Sequence, residues 1–252
     1  MQVIPALEQA KKKFVDLVDK HRLRGEEVKV AVGTLSPQQA IGSPARKDFP
    51  LLGGKEVMIE AQFRENCGQA FTSQPQNFTG ILDDVLDLSL DTIDHRAIFV
   101  ATLNAVTSYL GITKGARHCR DEEPEKCGTQ IANNIADKYG KVKILQIGYQ
   151  PAMLENLVKK FGAACVQCSD LDTKNIGVDK FGVIISDGIA ENGNLIEWCD
   201  LMLVTGSTTV NNTFDELYKT ITAKRKQLIT FGITGAGIAA LLNLDRICPF
   251  GH

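Results

Sequence analysis

No excess of basic residues is available in this chain to hold nucleic acid: 28 Lys and Arg stand against 30 Asp and Glu, a net charge of -2. Without a positive field there is nothing to neutralise a run of phosphates, which excludes nucleic-acid binding as a reading. No apolar run approaches the ~20 residues that a membrane-crossing helix requires. The opening stretch MQVIPALEQAKKKF lacks the apolar core and cleavage site of a secretory leader and reads as an amphipathic helix. Aromatic residues are scarce, at 6% with a single Trp, so they say little about partner surfaces. The seven cysteines are odd in number and lack the spacing of a small disulfide scaffold, so the expectation is reduced thiols in the cytoplasm. What is present is an ordinary globular balance, 44% hydrophobic and 23% charged. A chain of 252 residues can bury a core as one large domain or two modest ones.

The two halves differ in period. In the first, Ala6, Ala10, Phe14, Leu17 and Val18 recur at helical spacing, and VKVAVGTL (28–35) and EVMIEA (56–61) read as strands. FTGILDDVLDLSL and DHRAIFVATLNAVTSYLG read as helices, the second ending at Gly111. Strands followed by helices predict a small α+β unit over residues 1–115. The charged stretch KGARHCRDEEPEKCG opens the second unit, 116–252, where Pro124 suits the first turn of a helix running to about Tyr139. Five short apolar runs follow, VKILQIG, ACVQCSD, GVIISDG, LMLVTG and QLITFGI, most of them separated by helical segments. That alternation predicts a Rossmann-like, doubly wound parallel sheet, with ligands beyond the carboxyl ends of its strands.

Two familiar nucleotide signatures are missing. After the first of these strands a dinucleotide fold would carry three glycines, and only Gly148 stands there, followed by Tyr149, Gln150 and Pro151; standard NAD or FAD binding is not expected. After the fourth, GSTTVNN (206–212) lacks the lysine of a phosphate loop. Its hydroxyls and amides, Ser207, Thr208, Thr209, Asn211 and Asn212 around Gly206, exceed what capping a helix needs, which favours ligand binding there. Asp170 and Asp187 each end a strand; either could bond a ribose diol or act as a base, or simply cap the next turn. In the first unit, Thr34 and Asn104 could line a cleft against the second; Thr102 and Asn104 could equally back-bond along their helix. Nowhere does a nucleophile sit beside a base, and no histidine falls at a strand end.

Soft-metal ligands are sparse. Cys165 and Cys168, three apart on a strand, point to opposite faces. His118, Cys119 and Cys127 form the better cluster, though two thiols and one imidazole do not close a zinc site, and exposed linker thiols are the alternative. Cys248 and His252 in the final CPFGH make a further pair.

VAVGTLSPQQA, FVATLNAVTSYLG, ILQIGYQPAML, ISDG and LVTGSTTVNNTFDEL, in that order, resemble a two-domain bacterial and archaeal family of unknown function that carries a heavy-metal chelatase label. The resemblance implies an enolase N-terminal-like α+β domain followed by a Rossmann-like domain, with a cleft between them. It also implies condensation or hydrolysis of pterin-, flavin- or siderophore-like molecules, linked to heavy-metal chelation. The expected partner is therefore a small anionic or heteroaromatic molecule, with a heavy or transition metal as the cofactor to look for and a homo-oligomer admitted. The competing expectation is a non-catalytic protein that binds a metal or metal chelate through thiols; a methyltransferase-like role is weakened by the single glycine at Gly148.

Overall fold

The computed structural model describes residues 5–32, 41–49 and 57–252, so the expectation for Thr34 lies outside the described residues. Helix α1 (Ala6–Lys20) forms on the pattern read above: Ala6, Leu7, Ala10, Phe14 and Val18 make one buried stripe, with charged residues on the other side. Four antiparallel strands follow, β1 (Glu27–Val32), β2 (Val57–Phe63), β3 (Asn66–Thr72) and β4 (Phe78–Ile81), in the order β3-β2-β1-β4. Phe78–Ile81 corrects the expectation of a helix from Phe78: these residues pair with Glu27–Val30, and only Leu82–Asp87 (α2) is helical. Strand β3 was not anticipated, because NCGQAFT has neither an apolar run nor clean alternation.

Helix α3 (Ile93–Tyr109) lies across this sheet and is buried without a break from Arg96 to Thr107. A helix apolar all round must have neighbours all round. On one side it presses on β3, where a Cβ on Gly68 would sit 2.2 Å from the Ala105 nitrogen. Only glycine lets strand and helix backbones come so close. The same core takes in Phe14, edge-on to Phe99 at 5.8 Å, and also Val210 and Ile238 from the far end of the chain.

The second sheet has seven strands: β5 (Ile144–Ile147), β6 (Val166–Asp170), β7 (Asp179–Lys180), β8 (Val183–Asp187), β9 (Leu201–Thr205), β10 (Gln227–Phe231) and β11 (Arg246–Ile247). Their order is β11-β10-β9-β5-β6-β8-β7, parallel except where β7 runs against β8. All four residues of β5 are buried, as a central strand covered on both faces requires. One face packs on α4 (Glu123–Tyr139) and α5 (Pro151–Phe161) through Ile131, Ile135, Met153 and Leu157. The other packs on α6 (Asn192–Trp198) and α7 (Phe214–Ala223) through Ile196, Phe214, Leu217 and Ile221. From β5 the chain winds outward through β6 and β8, then returns to lay β9 against the other side of β5. The winding therefore reverses between β5 and β9, which is where a doubly wound sheet opens its crevice. A short helix α8 (Ala236–Leu242) precedes β11. The fold class read from the sequence is thus the one found, an antiparallel α+β unit joined to a largely parallel, doubly wound sheet.

Candidate functional site

A cleft of about 640 Å³ opens over the carboxyl ends of the parallel strands at that reversal. The turns after β5 and β9 meet there, and Gly148 is what allows it. Its φ is +91°, and a Cβ would fall 2.5 Å from Thr205 Cγ2, so both backbone and space demand glycine. Ile41, Phe49, Phe71 and Ser73 close the cleft from the side of the antiparallel unit. Among the described residues its lining contains no lysine or arginine, while Asp170, Asp172 and Glu216 contribute to it.

GSTTVNN folds as a single 3-10 turn, Gly206–Thr209, after which the chain passes through Asn211 to Thr213, the cap position of α7. Most of its polar groups are used in doing so. Thr208 Oγ1 donates to the Thr205 carbonyl and Thr209 Oγ1 to that of Gly206, both at 2.7 Å. Asn211 Oδ1 accepts from the backbone N–H and hydroxyl of Thr213 at 3.2 and 2.7 Å. Ser207, Thr208 and Asn211 line the cleft; Thr209 and Asn212 do not. Asn212 instead occupies the left-handed region, with φ +66°, where asparagine is tolerated.

Tyr149 and Gln150 also line the cleft. Gln150 caps α5 by accepting from the Met153 N–H, which fits its position just before Pro151. Tyr149 is only 6% exposed, and its hydroxyl has no partner among the described residues. Burial pushes that phenol well above its usual titration range, so it remains a neutral donor.

Asp170 is placed in the lining, but its carboxylate is spoken for. Oδ2 accepts from Tyr149 N–H (2.9 Å) and Asn175 Nδ2 (3.2 Å), and Oδ1 from the Leu171 and Asp172 N–H groups (2.6 and 2.9 Å). Four donors on one carboxylate stitch the loop after β6 to the turn after β5. Asp187 accepts from the Ile189 and Ala190 N–H groups and does not line the cleft. Asn104 is fully buried away from it. Its Nδ2 donates to the carbonyls of Gln69, Ile233 and Thr234, and its Oδ1 accepts from the Gly237 N–H. That residue clamps α3 and β3 to the loop before α8.

The thiol cluster does assemble. His118, Cys119 and Cys127 share one wall of the cleft, joined by Cys248. Cys119 is 7% exposed, so the alternative of exposed linker thiols fails for it. The Cys119 thiol donates a hydrogen bond to Cys127, which lowers the titration of Cys127 and raises that of Cys119; Arg246 also favours a Cys127 thiolate. Burial pushes Cys248 up to about 11 and pulls His118 below its ordinary value. His118 Nδ1 is held by the Cys119 carbonyl, and its ring stands edge-on to Phe71 at 5.6 Å. Cys168 lies fully buried in β6 and Cys165 in the turn before it, apart from this wall.

The outer wall is fastened by a residue that no sequence pattern singles out. Arg46 bonds Glu125 of α4 and Glu155 of α5, tying segment 41–49 to both helices. Lys159, with Arg46, holds the Glu155 carboxyl below the ordinary glutamate value of 4.5. A carboxyl depressed on folding adds stability above its unfolded value, and that contribution drains away as pH falls through the folded one. The melting temperature of the native protein should therefore fall more steeply below about pH 4.5 than that of Glu155→Gln. Parallel acid limbs in paired thermal melts would rule this out.

A family model described as "Putative heavy-metal chelation" (DUF364) matches residues 134–243. The solved structure of a DUF364 protein of unknown function from Pyrococcus horikoshii superposes with a TM-score of 0.51 at 18% identity, covering 91% of this chain and 80% of that one. Another, from Desulfitobacterium hafniense DCB-2, gives 0.49 at 10% identity over 74% and 72%. No curated protein matches the chain. At 18% identity the first likeness speaks to fold alone, and it spans both sheets. No helix among the described residues is long and apolar enough to cross a membrane. The stretches ILQIGYQPAML and LVTGSTTVNNTFDEL thus fall inside residues 134–243, which are similar to the family described as "Putative heavy-metal chelation".

Proposed function

We propose that the cleft captures a small heteroaromatic molecule of pterin, flavin or related chelating type, between the antiparallel unit and the strand ends of the parallel sheet. The observation that carries this is the Tyr149 hydroxyl: nine-tenths buried at a 640 Å³ cleft, and without a partner among the described residues. An orphaned buried hydroxyl costs about 1–3 kcal/mol, which a ligand acceptor would recover. The rest of the lining supports a flat, uncharged guest. Phe49, Phe71, Phe231 and Ile131 offer apolar surface, while Ser207, Asn192 and Thr234 offer the donors and acceptors that ring edges require. With no lysine or arginine and three carboxylates among the described residues of the wall, a strongly anionic guest is disfavoured, which narrows the expectation of an anionic or heteroaromatic partner. Binding is favoured over turnover. Asp170 and Asp187, the two carboxylates expected to serve as bases, are bonded to backbone amides.

The test is a thermal-shift panel of riboflavin, FMN, pterin and a catechol. A ligand at hundredfold excess over its Kd stabilises by about 2.7 kcal/mol, which for a chain of this size raises Tm by about 5–10 °C. Riboflavin should shift the protein more than FMN does. Tyr149→Phe should keep or raise the ligand-free Tm and reduce the shift. A panel without any shift, or one in which only the phosphorylated member acts, would overturn the reading.

A further inference from the structure

The cleft differs between its two sides. Ile131, Tyr149, Met153 and Phe231 line it from the core on the α4–α5 face of the parallel sheet. His118, on that side, has its Nδ1 held by the Cys119 carbonyl. Ile196 and Leu217 line the cleft from the core on the opposite, α6–α7 face, but they stand among polar side chains, Asn192, Ser207, Asn211 and Glu216. Between the two sides lie the tips of β5 and β9. Gly148 and Gly206 follow those strands directly, so neither position puts a side chain between the halves. One cavity thus runs from an apolar side to a polar one across the strand ends.

The chain's own hydrogen bonds fix what the polar side offers. Ser169 Oγ donates to Asn192 Oδ1 at 2.6 Å, and the Thr213 hydroxyl donates to Asn211 Oδ1 at 2.7 Å. Each amide oxygen is thereby occupied, while neither Nδ2 has an acceptor among the described residues. Ser207 Oγ and the Glu216 carboxylate likewise have no partner among the described residues. Amide donors beside a carboxylate acceptor suit a group that accepts and donates at neighbouring atoms, which is what a vicinal diol does. A phosphate would use the donors but face Glu216, with no lysine or arginine among the described residues of the lining to offset it. In doubly wound folds an acidic residue at the end of the second strand ordinarily bonds a ribose diol. Asp170 stands there, but its two oxygens already accept four N–H groups, so diol recognition passes to the α6–α7 side.

We propose that the guest of the cleft is a neutral heteroaromatic ring bearing a polyhydroxyl arm, the class that holds nucleosides and ribityl-substituted flavins. The ring lies beside Tyr149 on the apolar side, and the arm crosses Gly148 and Gly206 to Asn192, Asn211 and Glu216. This rests on the capture of a heteroaromatic molecule proposed above and deepens it by naming the arm and the side chains that select it.

The test is titration calorimetry on the full chain with two pairs of probes: riboflavin against lumiflavin, which lacks the ribityl arm, and adenosine against adenine. In at least one pair the member with the polyol should bind about tenfold more tightly, the effect of one or two good hydrogen bonds. Asn192→Asp keeps an acceptor for Ser169 and removes the NH2 donor. It should weaken that polyol member about tenfold and leave the bare ring unchanged. Glu216→Gln, at an exposed position of α7, should narrow the preference for riboflavin over FMN. Tyr149→Phe should instead weaken both members of a pair by the same factor. Equal affinity for bare ring and ring–polyol in both pairs would overturn the proposal and leave the heteroaromatic reading standing, as would a loss in Asn192→Asp shared equally by the two members. A chain that bound none of the four probes would bring down both.

Discussion

Replacing Asn104 with leucine is expected to cost the protein about 4 kcal/mol or more, a large part of the 5–15 kcal/mol that a folded domain holds in reserve. The substitution nearly conserves volume, so the loss isolates the amide. Asn104 Nδ2 donates to the carbonyls of Gln69 (2.9 Å), Thr234 (3.0 Å) and Ile233 (3.2 Å), and its Oδ1 accepts from the Gly237 N–H at 2.7 Å. Leucine would leave the Gly237 N–H without its acceptor and strip a donor from carbonyls in a place that water does not reach. Each unmet buried group costs about 1–3 kcal/mol. Gly237 sits close against α3, where an added Cβ would fall 2.2 Å from Leu103 Cδ2 and 3.0 Å from Thr107 Oγ1. Urea unfolding of the two proteins side by side measures the difference. A loss under about 1 kcal/mol would show that the clamp is dispensable.

Gly206→Ala is expected to lower Tm by roughly 6–12 °C, corresponding to about 3 kcal/mol of overpacking. The added methyl would sit 2.2 Å from the Gly235 nitrogen and 2.9 Å from its Cα. Those are backbone atoms, so no rotamer change relieves the clash; one of the two loops must move. Both loops line the cleft through Ser207, Thr208 and Thr234. Any variant that still folds should therefore have lost the ligand-induced shift as well. Gly193 supplies the control. It lines the same cleft within α6, and its added Cβ would meet nothing within 4 Å. Gly193→Ala should be neutral, or stabilising by up to about 1 kcal/mol through helix propensity. Equal melting temperatures for the two alanine variants would defeat the argument.

Much of the parallel sheet was legible in advance because a strand buried on both faces must be apolar throughout, and five such runs stand out from helices and glycines. Strand β3 was invisible for the opposite reason. Its residues are held by Gly68 against α3 rather than by side chains of strand type. The turn after β9 lines the cleft, and two of the hydroxyls read as ligand groups bond backbone carbonyls in the structure. Sequence shows that Thr208 and Thr209 carry hydroxyls; it does not show that a 3-10 turn places a carbonyl three residues back within 2.7 Å of each. Asn104 was hidden by distance along the chain, since three of its partners lie more than 120 residues away. The same holds for Cys248, whose neighbours Cys119 and Cys127 become neighbours only once the tail has folded back.

Helix α1 has a consequence for how the protein is made. Its Phe14 stripe belongs to a core that also contains Val210 and Ile238, and its first N–H is bonded to Asp215. Helix α1 therefore finishes burying its apolar face only once Val210, Asp215 and Ile238 have been made. During that interval an amphipathic helix waits with its greasy side uncovered, a state prone to self-association and attractive to chaperones. Long-range closure of this kind also slows folding in vitro. Fragments cut between the two sheets would inherit the same exposed surface permanently, so each half should be far less soluble than the intact chain.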